Sequence, residues 1–306
     1  MGIPTAPDDG SVRQRSTSGL IERTKTPATR ETLKRDFARL GIEPGDVVLV
    51  HSSLRSLGWV SGGPVAVVQT LLDAVGSDGT VAMPAHSADL TDPANWCDPP
   101  VPTDWEEIIR STMPAYDPAT TPTRDMGAVV EVFRTWPGTL RSSHPSCSMA
   151  AWGRHAEEIT ARHKLSDPLG PTSPSGVLYR LDAKILLIGV GFDRCTALHL
   201  AEHIRWPNRL TVDEGAPLIV DGQRRWVEFK VPRVMDDEDE FLAVGAAAVV
   251  SGVARLGTVA MAQGFIAPMP QLVDFAVDYW IRTPHPAEID DHGSDDANMA
   301  AVPRDD

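Results

Sequence analysis

The segment that determines the fold reads Pro44-Gly-Asp-Val-Val-Leu-Val-His51, a Pro-Gly turn followed by a short run of β-branched and apolar residues. A continuous apolar run of this length is typical of a strand that is buried on both faces, as in a parallel sheet. Parallel strands need a crossover between them, and that crossover is usually a helix. The segment therefore predicts a central parallel strand with helices on either side of it.

Helix and strand patterns alternate along the rest of the chain. A predicted helix over Gly63 to Val75 is followed by the short apolar strand Gly79-Thr-Val-Ala-Met83. A third apolar run, Ile185-Leu-Leu-Ile-Gly-Val190, precedes a predicted helix over Thr196 to Ile204. This order predicts an α/β fold with a central mixed or mostly parallel sheet and flanking helices.

The patterned part of the chain predicts one folded domain over residues 26–287. Its first helix is expected to begin at Thr26 and Pro27 and to end before Gly41. Residues 1–25 are polar and without periodicity, and they are predicted to form a disordered tail. Residues 288–306 are acidic and featureless, and they are predicted to be a second disordered tail. Further helices are predicted over residues 126–133, 241–256 and 269–280.

The stretch from Ala85 to Arg124 interrupts the alternating pattern. It contains several Asp-Pro and Pro-Pro pairs and predicts one helix, over Trp105 to Arg110. Loops this long are uncommon inside a compact domain and usually carry function. We therefore expect long active-site loops here.

Composition limits the classes of partner. The chain has 306 residues, a hydrophobic fraction of 42% and a formal net charge of -14. Binding nucleic acid requires clustered Lys and Arg, so the acidic balance argues against a nucleic-acid partner and favours a cationic one. No apolar run reaches the roughly 18 residues that cross a bilayer, and the N-terminus lacks the layout of a signal peptide. These features predict a cytoplasmic protein without a membrane partner.

A histidine and a glutamate stand three residues apart in Thr196-Ala-Leu-His-Leu-Ala-Glu202, directly after a predicted core strand. Residues at this spacing share a helix face, and ligands of α/β proteins bind beyond the carboxyl ends of the strands. A neutral His199 can accept a proton from an amine, and the Glu202 carboxylate can stabilise the resulting imidazolium. The spacing is equally compatible with a structural pair.

Extended by one residue, the same segment also matches a zinc motif. His199-Leu-Ala-Glu-His203 has the pattern H-x-x-E-H of inverzincin metalloproteases. A zinc site would need a third ligand and a longer helix, whereas Trp206-Pro207 ends this one early.

Gly189-Val-Gly191 lacks the third glycine of a dinucleotide fingerprint, so a nicotinamide site is not predicted.

The loop after the first strand is a second candidate site. It reads His51-Ser-Ser-Leu-Arg-Ser-Leu-Gly-Trp59 and leads to the helix start at Gly63. Small residues allow close approach to backbone amides, and a helix N-terminus near an arginine favours phosphate or pyrophosphate. A generic polar turn would explain the same residues.

Taken together, these segments resemble the aminoglycoside 3-N-acetyltransferases over roughly Thr29 to Trp280. The motifs that carry the resemblance occur in the order of that family, and they are His51-Ser-Ser-Leu-Arg-Ser-Leu-Gly58, Pro84-Ala-His-Ser-Ala-Asp89, Trp105, Thr121-Pro-Thr-Arg-Asp-Met-Gly127, Arg141-Ser-Ser-His-Pro145, Pro168-Leu-Gly-Pro-Thr-Ser-Pro174 and Leu198-His-Leu-Ala-Glu202. The resemblance implies the α/β fold of the antibiotic N-acetyltransferases, which differs from that of the GNAT enzymes.

The resemblance also implies site residues. Acetyl-CoA is expected to be held by Ser52, Ser53, Leu54, Arg55, Thr123 and Arg124. In the family the histidine of the L-H-L-A-E segment, here His199, acts with carboxylates as a base, and the matching carboxylates here are Glu202 and Asp89. Asp89, Glu202, Asp236 and Asp237 are the expected contacts for the antibiotic. No metal is implied. His144 is expected to hold a turn rather than to act in catalysis.

The implied activity is acetyl-CoA-dependent N-acetylation of aminoglycoside antibiotics at the 3-amino group, which confers resistance, by direct attack of the amine on the thioester. The partner is therefore a small polycationic aminoglycoside, and the chain is expected to be a monomer or a homodimer. Two alternatives remain open. One is an acetyltransferase of the same family that acts on a biosynthetic amine, and the other is a zinc hydrolase that uses the H-x-x-E-H motif.

Overall fold

The computed structural model describes residues 18–97, 99–234 and 238–283. It begins with a short helix, α1 (18–23), within the segment for which a tail is predicted. The next helix, α2 (Arg30–Leu40), begins later than the predicted Thr26, because Ala28 forms a parallel bridge with Val60 and is therefore extended. Thr29 then caps the helix by accepting from the backbone N–H of Thr32. The predicted tail over residues 288–306 lies outside the described residues.

The remaining elements alternate largely as predicted through the first half of the chain. In chain order they are β1 (Val47–Ser52), α3 (Gly63–Val75), β2 (Thr80–Pro84), α4 (Thr103–Thr112), α5 (Gly127–Arg134), β3 (Leu140–Arg141), β4 (Met149–Gly153), α6 (Ala156–Thr160), α7 (Pro174–Arg180), β5 (Lys184–Ile188), α8 (Ala197–Arg205), β6 (Thr211–Val220), β7 (Gln223–Pro232), α9 (Glu238–Val250), β8 (Arg255–Val259), β9 (Ala262–Pro268) and α10 (Met269–Arg282).

Seven of these strands form one mixed sheet in the order β3-β4-β2-β1-β5-β9-β8. The central strand β1 pairs in parallel with β2 and β5, whereas β4 and β9 pair antiparallel on either side of this trio. The prediction of an α/β fold with a mixed sheet and flanking helices is confirmed. Because β2, β1 and β5 are parallel, their carboxyl ends meet at one edge of the sheet.

Helices cover both faces of the sheet, and β1 contributes to both cores. Val48 and Val50 belong to the core packed by α2, α3 and α5, whereas Leu49 belongs to the core packed by α7, α8 and α10. Side chains alternate between the faces of a strand, so His51 shares the face of Leu49. It is thereby directed to the side of the sheet on which α8 lies.

Several strands of the structure are not predicted from the sequence. The predicted helix over 241–256 ends at Val250, because Gly252 adopts a left-handed conformation (φ 80°) and Arg255 begins β8. The ten-residue hairpin strands β6 and β7 were not predicted, although Asp221-Gly222 is the expected signal for their two-residue turn, with φ values of 51° and 73°. The short strands β3 and β4, also unpredicted, pair with each other at the edge of the seven-stranded sheet that lies away from β8.

The β6–β7 hairpin is tied to the long loop between β2 and α5. Tyr116 donates its backbone N–H to the carbonyl of Pro217 (2.9 Å), and Arg224 Nε donates to the carbonyl of Met113 (2.9 Å). Helix α4 includes the predicted helix over Trp105 to Arg110. Within the described residues, no helix is long and apolar enough to span a membrane.

Gly153→Ala is expected to lower the free energy of unfolding by about 3 kcal/mol. Gly153 has a φ of 104° and pairs with Thr80, and a Cβ atom there would lie 2.2 Å from the carbonyl oxygen of Gly79. The matched control is Gly45→Ala, because Gly45 has a φ of 92° but open space around a Cβ. Gly45→Ala should lower the free energy of unfolding by about 1 kcal/mol, because only the left-handed backbone is then unfavourable. Urea denaturation measures both, and equal losses would contradict the steric argument.

Candidate active site

The predicted His199 and Glu202 are in direct contact on α8. His199 Nδ1 lies 2.8 Å from Glu202 Oε2, and the ring packs edge-on against Phe241 with 5.0 Å between centroids. The Glu202 side chain is completely buried, whereas that of His199 is 24% exposed, so only the imidazole is open to a ligand. Because a carboxylate can only accept, Nδ1 donates to Glu202 and Nε2 carries the free lone pair.

Two further histidines lie near His199 at the carboxyl ends of the parallel strands. His51 is in β1 beside Leu187 of β5, and His86 follows directly after β2. Burial lowers the pKa of His51 to about 4, with a further contribution from His199. Burial also lowers the pKa of His86 to about 3, with contributions from His199 and His51. Both rings are therefore neutral at neutral pH, and the Nε2 atom of each is buried without a protein partner.

The serine loop, defined as residues 52–57, continues from β1 at the same edge of the sheet. Ser53 donates its backbone N–H to the carbonyl of Ile188 (2.8 Å), which joins the loop to the end of β5. The hydroxyls of Ser53 and Ser56 lie 2.9 Å apart. The Ser52 hydroxyl is buried and has no hydrogen-bond partner. A buried hydroxyl without a partner is free to donate to a bound ligand.

Arg55 is exposed in the distal part of the loop, whereas Leu57 is buried. Leu54 and Arg55 lie in a 3-10 turn, and the Arg55 side chain is exposed. Arg23, at the end of α1, donates Nη2 to the carbonyl of Arg55 (2.6 Å). Helix α1 thus fixes the backbone of the turn and leaves the Arg55 guanidinium available to an anion.

The predicted residues Thr123 and Arg124 lie at the end of the long loop, and Arg124 meets Asp89 from its beginning. Arg124 donates its backbone N–H to the carbonyl of His86 (2.8 Å), and its Nη1 forms an ion pair with Asp89 Oδ1 (3.2 Å). Both charged side chains are more than half exposed. Thr123 donates its backbone N–H to Glu131 Oε1 (2.7 Å). The structure therefore brings Asp89 to Arg124, at the surface, rather than into the buried contact made by Glu202.

The remaining histidines of the loops have structural contacts. His144 Nδ1 accepts from the backbone N–H of Cys147 (3.1 Å), so Nε2 carries the hydrogen and donates to the carbonyl of Leu165 (3.3 Å). His163 contacts the hydroxyl of Ser142 (2.8 Å) through Nδ1. Burial lowers the pKa of His144 to about 3 and that of His163 to about 4. These contacts support the interpretation of His144 as a residue that holds a turn.

The three residues of the zinc motif do not converge in the structure. His199 Nδ1 is directed at Glu202, whereas His203 Nδ1 lies 3.6 Å from Asp167 Oδ1. No group of three or more metal-ligating side chains that could hold an ion occurs among the described residues. Asp236 and Asp237, the other predicted antibiotic contacts, lie outside the described residues.

Stability is expected to fall as the pH is lowered from 7 to 5.5. Burial lowers the pKa from 6.5 to about 4 or about 3 in His51, His86, His144, His163 and His203. Between pH 6.5 and pH 4 these histidines bind protons in the unfolded chain but stay neutral in the folded one. The free energy of unfolding is therefore highest above pH 6.5 and decreases as the pH falls toward 4. Urea denaturation should show a loss of about 2 kcal/mol or more. His144→Asn, which removes one of these groups, should reduce the slope. A constant stability would contradict the buried neutral histidines.

Comparisons with known proteins identify the family of the chain. The family model for aminoglycoside 3-N-acetyltransferase matches residues 49–281. The chain is 43% identical to the SPbeta prophage-derived aminoglycoside N(3')-acetyltransferase-like protein YokD of Bacillus subtilis, over 86% of this chain and 96% of that protein. It is 33% identical to the aminoglycoside N(3)-acetyltransferase IX of Micromonospora chalcea, over 86% of this chain and 96% of that enzyme.

Solved structures show the same fold. The structure of AAC-IIIb binary with CoASH has a TM-score of 0.75 and 32% identity, and it covers 85% of this chain and 100% of its own. The structure of AAC-VIa bound to sisomicin also has a TM-score of 0.75, with 30% identity and the same coverage of both chains. The extent of these matches, together with the contact of His199 and Glu202, shows that this chain belongs to the aminoglycoside 3-N-acetyltransferase family.

Proposed function

We propose that this protein transfers the acetyl group of acetyl-CoA to the 3-amino group of an aminoglycoside and thereby confers resistance to the antibiotic. The observation that carries the proposal is the His199–Glu202 hydrogen bond, which lies where the carboxyl ends of β1, β2 and β5 meet the serine loop. A base with its lone pair directed at a crevice suits an acyl transfer in which the nucleophile must first lose a proton.

His199 is the proposed general base. Its Nε2 takes the proton from the attacking amine, while Glu202 accepts from Nδ1 and stabilises the imidazolium. The carbon–nitrogen bond forms as the carbon–sulfur bond of the thioester breaks. The proton on Nε2 then passes to the departing sulfur, so His199 returns to its neutral state. No covalent intermediate on the protein is required.

The serine loop is proposed to hold the thioester end of acetyl-CoA. The orphaned Ser52 hydroxyl and the backbone N–H of Leu54 are the proposed donors to the thioester oxygen as it becomes negative. Arg55 and Arg124 are exposed cations that suit the phosphates of the cofactor, and Thr123 fixes the backbone beside Arg124. We propose that the reaction takes place in the cytoplasm, where acetyl-CoA is available.

Charge explains why a polycation would enter this crevice. His51 and His86 are buried as neutral rings, so they line the crevice without repelling an ammonium group. Asp89 is an exposed carboxylate at the rim of the crevice, and we propose that it contacts the aminoglycoside and supports catalysis by orienting the amine. Asp236 and Asp237 are proposed as further antibiotic contacts on the strength of their acidic character alone.

The direct experiment is mass spectrometry of an aminoglycoside panel, including sisomicin, incubated with acetyl-CoA. The proposal predicts a gain of one acetyl group, and NMR of the product should place it on the 3-amino group. Absence of turnover across the panel, despite measurable CoA binding, would refute the assignment to antibiotics and favour a biosynthetic amine.

His199→Asn is expected to lower kcat by a factor of about 100 or more, while the affinity for CoA stays near that of the unaltered protein. The reason is that Asn fills the site but cannot accept the proton. Steady-state kinetics and CoA titration calorimetry measure the two quantities. The matched control is His144→Asn, which removes a buried histidine that has only structural contacts and should retain kcat. Near-normal turnover by His199→Asn would refute the general-base role.

Arg124→Gln and Asp89→Asn are expected to affect different substrates, although the two side chains pair with each other. Arg124→Gln should raise the KM for acetyl-CoA by about tenfold, because a phosphate loses a charge-assisted contact. Asp89→Asn should raise the KM for the aminoglycoside and leave that for acetyl-CoA nearly unchanged. If both variants raise the same KM, the ion pair only stabilises the loop. The assignments of Arg124 to acetyl-CoA and of Asp89 to the aminoglycoside would then both be wrong.

A further inference from the structure

An arginine that the resemblance does not assign lies behind the His199–Glu202 pair. Arg209 follows α8 and places Nη1 3.6 Å from Glu202 Oε2, the same oxygen that receives His199 Nδ1. The Arg209 side chain is only 11% exposed and that of Glu202 is completely buried. A cation and a carboxylate therefore face each other away from water.

Burying a carboxylate requires a compensating charge. While His199 is neutral it offers Glu202 a hydrogen bond but no charge, so an ionised Glu202 depends on a nearby cation. Arginine suits this role because its guanidinium stays protonated even when it is buried. The guanidinium nitrogens of Arg209 have no hydrogen-bond partner within the described part of the chain. Arg209 therefore acts on Glu202 through its charge rather than through a short hydrogen bond.

Burial lowers the pKa of Arg209, and the Glu202 carboxylate opposes that effect. Burial lowers the pKa of His203 to about 4, with a further contribution from Arg209, so His203 is neutral at neutral pH. Asp167 lies 3.6 Å from His203 Nδ1 and is fixed by the backbone N–H of Thr172 (2.8 Å). A Cβ at Gly170 would lie 2.0 Å from Asp167 Oδ1, so the loop of the Pro168–Pro174 motif has to approach this cluster closely.

We propose that Arg209 is a positioning residue for acetyl transfer, whose charge keeps Glu202 ionised and thereby keeps His199 Nδ1–H directed at it with the Nε2 lone pair free for the amine. This inference rests on the proposed function for its catalytic consequence. Removing the Arg209 charge makes the His199–Glu202 pair take up a proton more readily, so the base is blocked at a higher pH.

Other charged groups face the pair from each neighbouring element. β1 contributes His51, the segment after β2 contributes His86, and both are neutral. α9 contributes Glu240, which accepts from Trp280 Nε1 (3.2 Å). α10 packs apolar residues against α8 and exposes its carboxylates, Asp274 and Asp278. These groups are retained in the Arg209 variants. His203, whose pKa is lowered in part by Arg209, can respond to the substitution as well, so its Cε1 signal is followed beside that of His199.

The test compares Arg209→Met with Arg209→Lys, which keeps the charge. Protonation of His199 is followed by NMR of histidines labelled at Cε1, with the His199 signal assigned from His199→Asn. Arg209→Met should raise the midpoint of the His199 titration by about 0.5 to 1 pH unit and move the acid limb of the kcat/KM profile by the same amount. The His199 midpoint and the acid limb of Arg209→Lys should stay close to those of the unaltered protein.

Arg180→Met is the control for the loss of a positive charge elsewhere on the surface. Arg180 is exposed and donates to the carbonyl of Pro171, so this variant should leave the His199 midpoint unchanged.

A fall in activity of Arg209→Met without a shift of the His199 midpoint would overturn the proposal and leave Arg209 a merely structural residue. If Arg209→Met does not fold, adding Glu202→Gln should restore folding, because the unpaired buried carboxylate is then removed. Failure of that rescue would also overturn the proposal. If the unaltered protein acetylates no aminoglycoside, the proposed function fails, whereas the NMR comparison still decides the role of Arg209.

Discussion

The 2.8 Å contact between His199 Nδ1 and the buried Glu202 carboxylate is the interaction on which the rest of the site depends. It fixes the tautomer of the imidazole and leaves Nε2 as the one ring nitrogen able to take a proton. The sheet gives this contact its position, since β1, β2 and β5 are parallel and end at the same edge. Helix α8 starts from that edge, so its first turns carry His199 into the crevice.

Charge is distributed around this contact in layers. Glu202 is buried, and His199 Nδ1 and Arg209 Nη1 both approach its Oε2 atom, so the nearly buried Arg209 guanidinium can compensate the carboxylate. His51 and His86 lie near His199 as buried neutral rings, so they do not repel an amine. Asp89 and Arg124 are exposed and form an ion pair. A polycation and an anionic cofactor can therefore approach the same base from outside.

The sequence predicted the parallel trio of strands and α8 because long apolar runs and glycine stops are local signals. It also predicted His199 and Glu202 as neighbours, since a spacing of three sets them on one helix face. It did not predict β4, β8 and β9, because their pairing partners are distant in the chain and their residues are only partly apolar. Nor did it indicate Arg209, which lies beyond the end of α8 and meets Glu202 only through the tertiary fold. The Asp221-Gly222 pair is a local signal for the two-residue turn of the β6–β7 hairpin.

The central claim is that His199 is the base which meets the substrate amine at the carboxyl edge of the sheet. A crystal structure with CoA and an aminoglycoside bound together tests it most directly. The account predicts that the 3-amino nitrogen lies within hydrogen-bond distance of His199 Nε2, with the CoA sulfur beside the serine loop. An amine bound away from His199, or a cofactor whose sulfur lies on another face of the sheet, would contradict it.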